Sequence, residues 1–486
     1  MIYRFLSGRF RGRKDAMKNR FEKGQILIWT VVFGSVAIYF IAAFIGWAII
    51  NIRASRQTFN REQAVQIAEA GIDYYRWHLA HADQDYQDGT GNPGPYVHDF
   101  IDKDNNIIGQ FSLNITPPPL GSTLVNIQST GTILADSNIS RELEAKLAKP
   151  SIAKYAVVAN DVMRFGSGTE VFGPIHSNNG IRFDGLAHNI VSSSVANYND
   201  PDHTGSNEFG VHTHVSPTDP LPPNPVPTRT DVFEAGRQFP MPAVDFAGIT
   251  ADLSNMKTSA IADGFYRAGS GGLGYHVVLR TDDTFDLYRV TNLVNMGGCS
   301  YSQTGWGTWS IRSTPSGQTL LDNYPLPANG IMFLEDHVYI DGQINTARLT
   351  AVAAVLGGGP KNIIINNDLL YTNYDGQDVI GLIAQGNINV GMVSEDDLRI
   401  DAALIAQTGR IGRHYYPSGC SPYNVRSTIT LWGMIASNQR YGFAYTDGNG
   451  YQTRNLNYDG NLLYGPPPNF PLTTDQYITI SWEEIE

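Results

Sequence analysis

Charged side chains are scarce in this chain, 16% of 486 residues, and basic residues are scarcer than acidic ones. Eight of the 34 Lys/Arg fall within residues 1–23, with only Asp15 and Glu22 against them; beyond lie 26 basic and 44 acidic residues, a net of −18. An exterior that acidic argues against nucleic acid as a partner, because phosphate binding needs a basic face. Other signatures are missing too. Gly357-Gly358-Gly359-Pro360-Lys361 has no following Lys-Ser/Thr and opens no helix, so it is not a phosphate loop. No Ser or Cys sits in a nucleophile elbow. What is plentiful is Gly (49), Pro (26) and Tyr (25), a composition suited to short strands joined by many turns.

From Gly24 to Ile52 charge is absent altogether. The apolar run Ile26–Ile50 makes a helix about 37 Å long, enough to cross a hydrocarbon layer of about 30 Å. The eight basic residues before it predict a cytoplasmic N-terminus. The run is too long for a cleaved secretory signal, and no small-x-small site follows it. Residues 53–80 lack Pro and place Val65, Ala68, Ile72, Tyr75 and Leu79 at helical spacings of 3 and 4. One helix from Gln25 to about residue 80 is therefore expected, half in lipid and half packed on an exported domain.

Lys23-Gly24-Gln25-Ile26-Leu27-Ile28, the apolar helix, and then Gln66-Ile67-Ala68-Glu69-Ala70-Gly71-Ile72 resemble the type IV pilins and pseudopilins, most closely the PilX-like minor pilins. The resemblance covers roughly residues 20–80, with weaker support to 148. It implies a basic leader cut by a prepilin peptidase between Gly24 and Gln25, with Lys23 at the headgroups. Most major pilins carry a glutamate as the fifth residue after the cut; here that position is Trp29. Without that carboxylate a repeated shaft position is disfavoured, and a tip or initiating position fits better.

Residues 107–115, 123–133 and 139–148 read as an antiparallel meander, with Ile139, Leu143, Ala145 and Leu147 on one face of the third run. Beyond residue 150, strand-sized apolar pieces alternate with Gly/Asn turns. GLIAQGNINV (381–390), ALIAQTGRIG (403–412) and GMIASNQRYG (433–442) share an Ile-Ala-Gln/Ser step at offsets of 22 and 30, with IHSNNGI (175–181) a weaker echo. Such repeats suggest stacked coils, a parallel β-helix or solenoid, in preference to a large antiparallel domain. Residues 200–230 read as a Pro-rich linker, Val244–Asp263 as a helix, 275–290 as a hairpin turning at Asp282-Asp283, and 461–471 as a strap over the last coil.

Candidate chemistry is thin. Val211-His212-Thr213-His214-Val215 sets His212 and His214 on one face of a strand, half of a zinc or copper site with no completing ligand at an obvious spacing. The plainer reading is a structural or solvent role. Asp102–Asn106 and Asp200-Pro201-Asp202 are candidates for Ca²⁺, though neither has the EF-hand pattern. Glu395, Asp396, Asp397 and Asp401 are the best candidates for paired-carboxylate glycan chemistry, and a solvated turn is the alternative. Cys299 and Cys420 are compatible with one disulfide or with two unpaired thiols.

The expected fold class is α+β: a long N-terminal transmembrane and amphipathic helix on a small antiparallel sheet, then a large all-β, solenoid-like domain. The divisions are a leader (1–24), the helix (25–80, spanning 26–50), an antiparallel head (81–150), a first solenoid part (151–195), a linker with helix and hairpin (196–330), and coils with strap (331–486). The expected function is non-enzymatic and without a cofactor: a minor-pilin-like subunit of a type IV pilus or pseudopilus, anchored in the cytoplasmic membrane with its bulk outside. Its expected partners are prepilin peptidase, other pilins, the assembly machinery, the bilayer and a surface or glycan ligand. The alternatives are a tethered adhesin outside any filament, and a tethered polysaccharide-active enzyme.

Overall fold

The structure, a computed structural model, describes residues 11–203, 205–246, 253–297, 299, 307–313 and 316–485, with side chains from residue 25 onward. Helix α1 runs from Arg11 to His81. It starts earlier than Gln25 because the Arg, Lys, Met and Ala of residues 11–24 are good helix formers, with no Pro to stop them. Along its apolar half nearly every side chain is exposed; Tyr39, for example, is 74% exposed. The second half is different. Ala64, Ile67, Ala68, Ile72, Tyr75 and Leu79 are buried on Phe111, Leu113, Val125, Ile127, Leu143, Ala145 and Leu147.

Those partners come from an antiparallel sheet whose strands run in sequence: β1 (Tyr96–Ile101), β2 (Ile107–Thr116), β3 (Val125–Ile133) and β4 (Asp136–Ala148). The strand β1 lies outside the expected meander. A fifth strand, Ile478–Ile485, arrives from the far end of the chain and pairs antiparallel with β4, Ile478 opposite Ala148 and Trp482 opposite Ala145. The division 331–486 therefore needs correcting: the last strand belongs to the head. Helix and sheet approach closely at two glycines. A side chain on Gly71 would strike Ser129 and Phe111, and one on Gly131 would strike the backbone of Ala64 and Ala68.

The remaining chain is a sheet-rich region dominated by parallel pairing, and its sheet does not close on itself. The longest ladder stacks Phe265–Arg267, Ile331–Leu334, Arg348–Ala353, Val379–Ala384, Asp397–Ala406, Val425–Ser437, Val157–Ala159, Ile175–Ser177, Val191–Ser193 and Arg237–Gln238. Its order is not that of the chain. Residues 157–238 advance outward in one direction, the chain then returns to the opposite end, and residues 331–437 advance back until Ile435 pairs with Val157. A second ladder crosses the same seam where Leu456 pairs with Val171. At the corner, Asn160 Nδ2 donates to Asn438 Oδ1 at 3.0 Å and Asn178 Nδ2 to Asn160 Oδ1 at 2.8 Å, a three-asparagine stack.

The inner strands of the longest ladder, such as Ile331–Leu334 and Val379–Ala384, are buried on both faces, as is usual of parallel strands. Met332, Leu334, Leu382, Ala384, Leu404 and Ile435 point into one core. Ile331, Phe333, Ile383, Ile405 and Ala436 point the other way, under α2 (Leu253–Asp263), which contributes Leu253, Met256 and Ala260. Residues 247–252 of the expected helix 244–263 lie outside the described residues. The reading of 196–330 as a linker with an inserted region is corrected by this topology. That segment supplies the end strand Arg237–Gln238, the return path along α2, and the opposite end strands 265–267 and 275–279. The hairpin over 275–290 forms with its turn at Asp282-Asp283, where Asp283 has φ 60°.

Head and β-rich region are joined by hydrogen bonds to backbone. The Arg348 guanidinium donates to the carbonyls of Leu120 (2.5 Å), Gly376 (2.5 Å), Gly465 (2.7 Å) and Pro466 (2.7 Å). Ser151 bonds the strap at Leu462 and Leu463. Two outcomes follow from the packing. Gly131→Val should destabilise the head by about 3 kcal/mol, because backbone and not a pliable side chain stands in the way; thermal melting monitored by circular dichroism checks it. Deleting residues 478–486 should raise amide exchange along β4 selectively, leaving β1 and β2 protected; hydrogen exchange with mass spectrometry reads the difference.

Candidate functional site

The expected processing residues lie at the start of the exposed apolar helix. Gln25 is exposed on α1, while the side chains of Lys23 and Gly24 lie outside the described residues. The stretch that follows has a mean hydropathy of 2.3 over its best 18-residue window, and none of that window is buried inside the protein. Apolar surface of this extent is costly in water and calls for a cover, whether lipid or protein.

The chemistry-bearing cluster lies elsewhere, in the segment read as a Pro-rich loop. Asn197–Asn199 and Asn207–Phe209 form a short antiparallel hairpin. The next strand, Val211–His212, runs parallel to Ile181–Phe183, which in turn pairs with Met163–Phe165. An extended strand puts residues i and i+2 on one side, so His212 and His214 both face the hairpin. The hairpin brings Asp200, His203 and Glu208 to meet them. His212 Nε2 lies 3.5 Å from Asp200 Oδ2, His214 Nε2 lies 3.6 Å from Glu208 Oε1, and His203 Nδ1 lies 2.9 Å from the same Glu208 oxygen. The ring centroids of His212 and His214 are 5.1 Å apart, and those of His203 and His214 are 4.6 Å apart. His212, Glu208 and Asp200 are 0%, 1% and 2% exposed.

Electrostatics hold Asp200 ionised. Burial opposes charge on Asp200, but the adjoining His212 ring, the Asp202 backbone N–H at 2.9 Å and Arg182 keep its pKa down at about 2. Burial, reinforced by Arg182 and His212, pushes the His214 imidazole below its ordinary value, toward the neutral ring. Only His212 and His214 were visible as candidates in the sequence. Asp200 was grouped with Asp202 for Ca²⁺, a pairing the structure corrects: Asp202 turns away to Arg440 and, at 3.4 Å, Arg164. His203 and Glu208 gave no sign beyond Asp-x2-His-x4-Glu-x3-His-x-His within fifteen residues.

The other candidates have local employment. Asp102 Oδ1 accepts the N–H of Asp104 and of Asn106, closing the β1–β2 turn. Asp401 is fully buried, bound by Tyr374 OH (2.6 Å), Arg399 Nε (2.9 Å) and Tyr371 N (3.1 Å). Asp396 accepts from Ser427 N, Asp397 is exposed, and Glu395 sits by Asp368, its pKa raised by burial and by that neighbour. The four acids thus do not converge on one site. Across the seam runs a groove of about 860 Å³, lined by Arg164, Arg410, Arg440, Arg454, Asp202 and Tyr441 among others. Cys299 and Cys420 are joined in a disulfide, packed with Met392 and Tyr416.

No family model matches the chain. No curated protein matches it either. Three chains of solved structures do. One is the crystal structure of the competence-associated pilin ComZ from Thermus thermophilus, 14% identical, with 88% of this chain and 98% of that chain covered and a TM-score of 0.27. At that score the likeness is too slight to bear on function.

The disulfide closes a loop with a sequence separation of 121. Replacing both cysteines by serine should lower stability by up to about 5 kcal/mol on chain-entropy grounds. Denaturant titration of oxidised wild type against the double variant measures it.

Proposed function

We propose that this protein is a minor-pilin-like structural subunit of a type IV pilus or pseudopilus, held in the cytoplasmic membrane by residues 26–50 until it assembles. One observation carries the reading. A helix with no charged residue from Gly24 to Ile52 stands uncovered, and the same helix continues without a break into the core of an antiparallel head. Lipid covers the apolar half in the membrane, and the equivalent helices of other pilins cover it in a filament; in neither state does it meet water.

Trp29 in place of a glutamate favours a low-copy position at the tip or in priming, where no neighbour above needs its terminal amine paired. The parallel ladders are read as a β-solenoid presented outward, its coils advancing from both ends to the seam. Processing by a prepilin peptidase after Gly24 and a surface or glycan ligand for the outer region complete the proposal. The seam groove, with four arginines and aromatic neighbours, supports a second reading as a tethered adhesin that stays outside any filament.

Intact-mass analysis of protein purified from host membranes tests the first reading. The mature chain should begin at Gln25, lighter by the 24 leader residues. Gly24→Val should keep the leader attached and abolish incorporation into sheared fibres. A wild-type chain that retains Met1 and is absent from fibres would leave the adhesin reading in its place.

A further inference from the structure

We propose that Asp200, Glu208, His212 and His214, with His203 at the rim, bind a divalent transition-metal ion of the zinc class. The proposal does not rest on the pilus reading.

The first ground is what these groups lack. Both ring nitrogens of His212, His214 Nε2, Asp200 Oδ2 and Glu208 Oε2 are buried without a hydrogen-bond partner. Leaving that many polar atoms dry and unpaired in one place is unfavourable, and His212 is wholly buried beside the Tyr198 ring. A cation among them satisfies lone pairs from several side chains at once.

The second ground is distance. Ligand atoms of Asp200, His212 and His214 lie within 4.8 Å of one another, and so do those of His203, Glu208 and His214. The 3.5 Å separation between His212 Nε2 and Asp200 Oδ2 is long for a hydrogen bond, and Glu208 Oε1, held by His203, stands 3.6 Å from His214 Nε2. Two ligands about 2.0–2.1 Å from a tetrahedral ion sit about 3.3–3.4 Å apart, close to what is seen.

The third is support around the ligands. Asp200 is oriented by the Asp202 N–H through its other oxygen, and Glu208 by His203. Arg182 comes within 3.7 Å of Asp200 Oδ2, but its Nε is engaged by Asp184 at 2.7 Å, so two carboxylates balance that cation. Imidazole nitrogens select zinc, cobalt, nickel or copper over the oxygen-seeking Ca²⁺ and Mg²⁺. With donors on both sides of His214 and only His203 half-exposed, the site is closed and structural: the ion ties the 197–209 hairpin to the segment 211–214.

The test uses the full chain in detergent. Elemental analysis after purification should find about one zinc-class ion per chain. Chelation followed by Co²⁺ titration should produce the visible absorption of a tetrahedral nitrogen/oxygen site, and Zn²⁺ should displace it. EDTA should lower the melting temperature and Zn²⁺ should restore it. His214→Ala and the shape-conserving Glu208→Gln should abolish Co²⁺ binding, and His203→Ala, at the rim, should weaken it by about 10–100-fold. His81→Ala, on the exposed helix surface, should bind like wild type. Less than a tenth of an equivalent of metal, no cobalt spectrum and a melting temperature indifferent to EDTA and Zn²⁺ would overturn the proposal, as would binding that survives all three cluster variants.

Discussion

The β-rich region depends on one contact, the pairing of Ile435 with Val157 and of Leu456 with Val171. A parallel ladder that starts at Val157 and grows in one direction leaves the other side of that strand with bare N–H and C=O groups. Unpaired strand edges are costly when buried and aggregation-prone when exposed. This chain covers the edge with its own later strands, which travel back to it from the opposite end. The corner asparagines bridge the join across a separation of 278 residues.

The rest of the path follows from that requirement. To reach the opposite end, the chain runs along the ladder's outer face, and α2 uses the trip to bury Ile331 and Phe333. The antiparallel strands 275–279, 284–290 and 318–325 border the first parallel rungs there. After Tyr458 the strap crosses the same outer face, placing Leu462 and Phe470 among the buried side chains, and delivers the last strand to the head. Contacts so distant in sequence make for slow folding, because loop closure must precede any reward from pairing.

Much of this was legible beforehand where the physics is local. The apolar run, the stripe from Ala68 to Leu79, the strands of the meander and the 275–290 hairpin all follow from periodicities of 3.6 or 2. The 22-residue repeat is real pairing: Leu382 opposes Leu404 and Ile383 opposes Ile405. The next step slips by one. Leu404 opposes Ile435, so the 30-residue offset of the sequence repeat is 31 by hydrogen bonding. The seam was hidden because no local pattern announces that a ladder is assembled out of chain order. The strand Ile478–Ile485 fell within the division of coils and strap, since its partner lies some 330 residues away. Glu208 and His203 were obscured by prolines that suggested an extended linker, although the hairpin closes just before the first Pro-rich stretch.

One consequence concerns traction. The outer region leaves the head through the end of β4 and returns through the start of the last strand, and these two exits are neighbours, Ala148 beside Ile478. A load applied far out on the β-rich region therefore reaches the head through two covalent struts drawn side by side. Neither is peeled from the other. The tension falls on the β3–β4 interface lengthwise, where all its hydrogen bonds must fail together, and the helix rooted beneath that sheet feels a pull shared across the sheet's width.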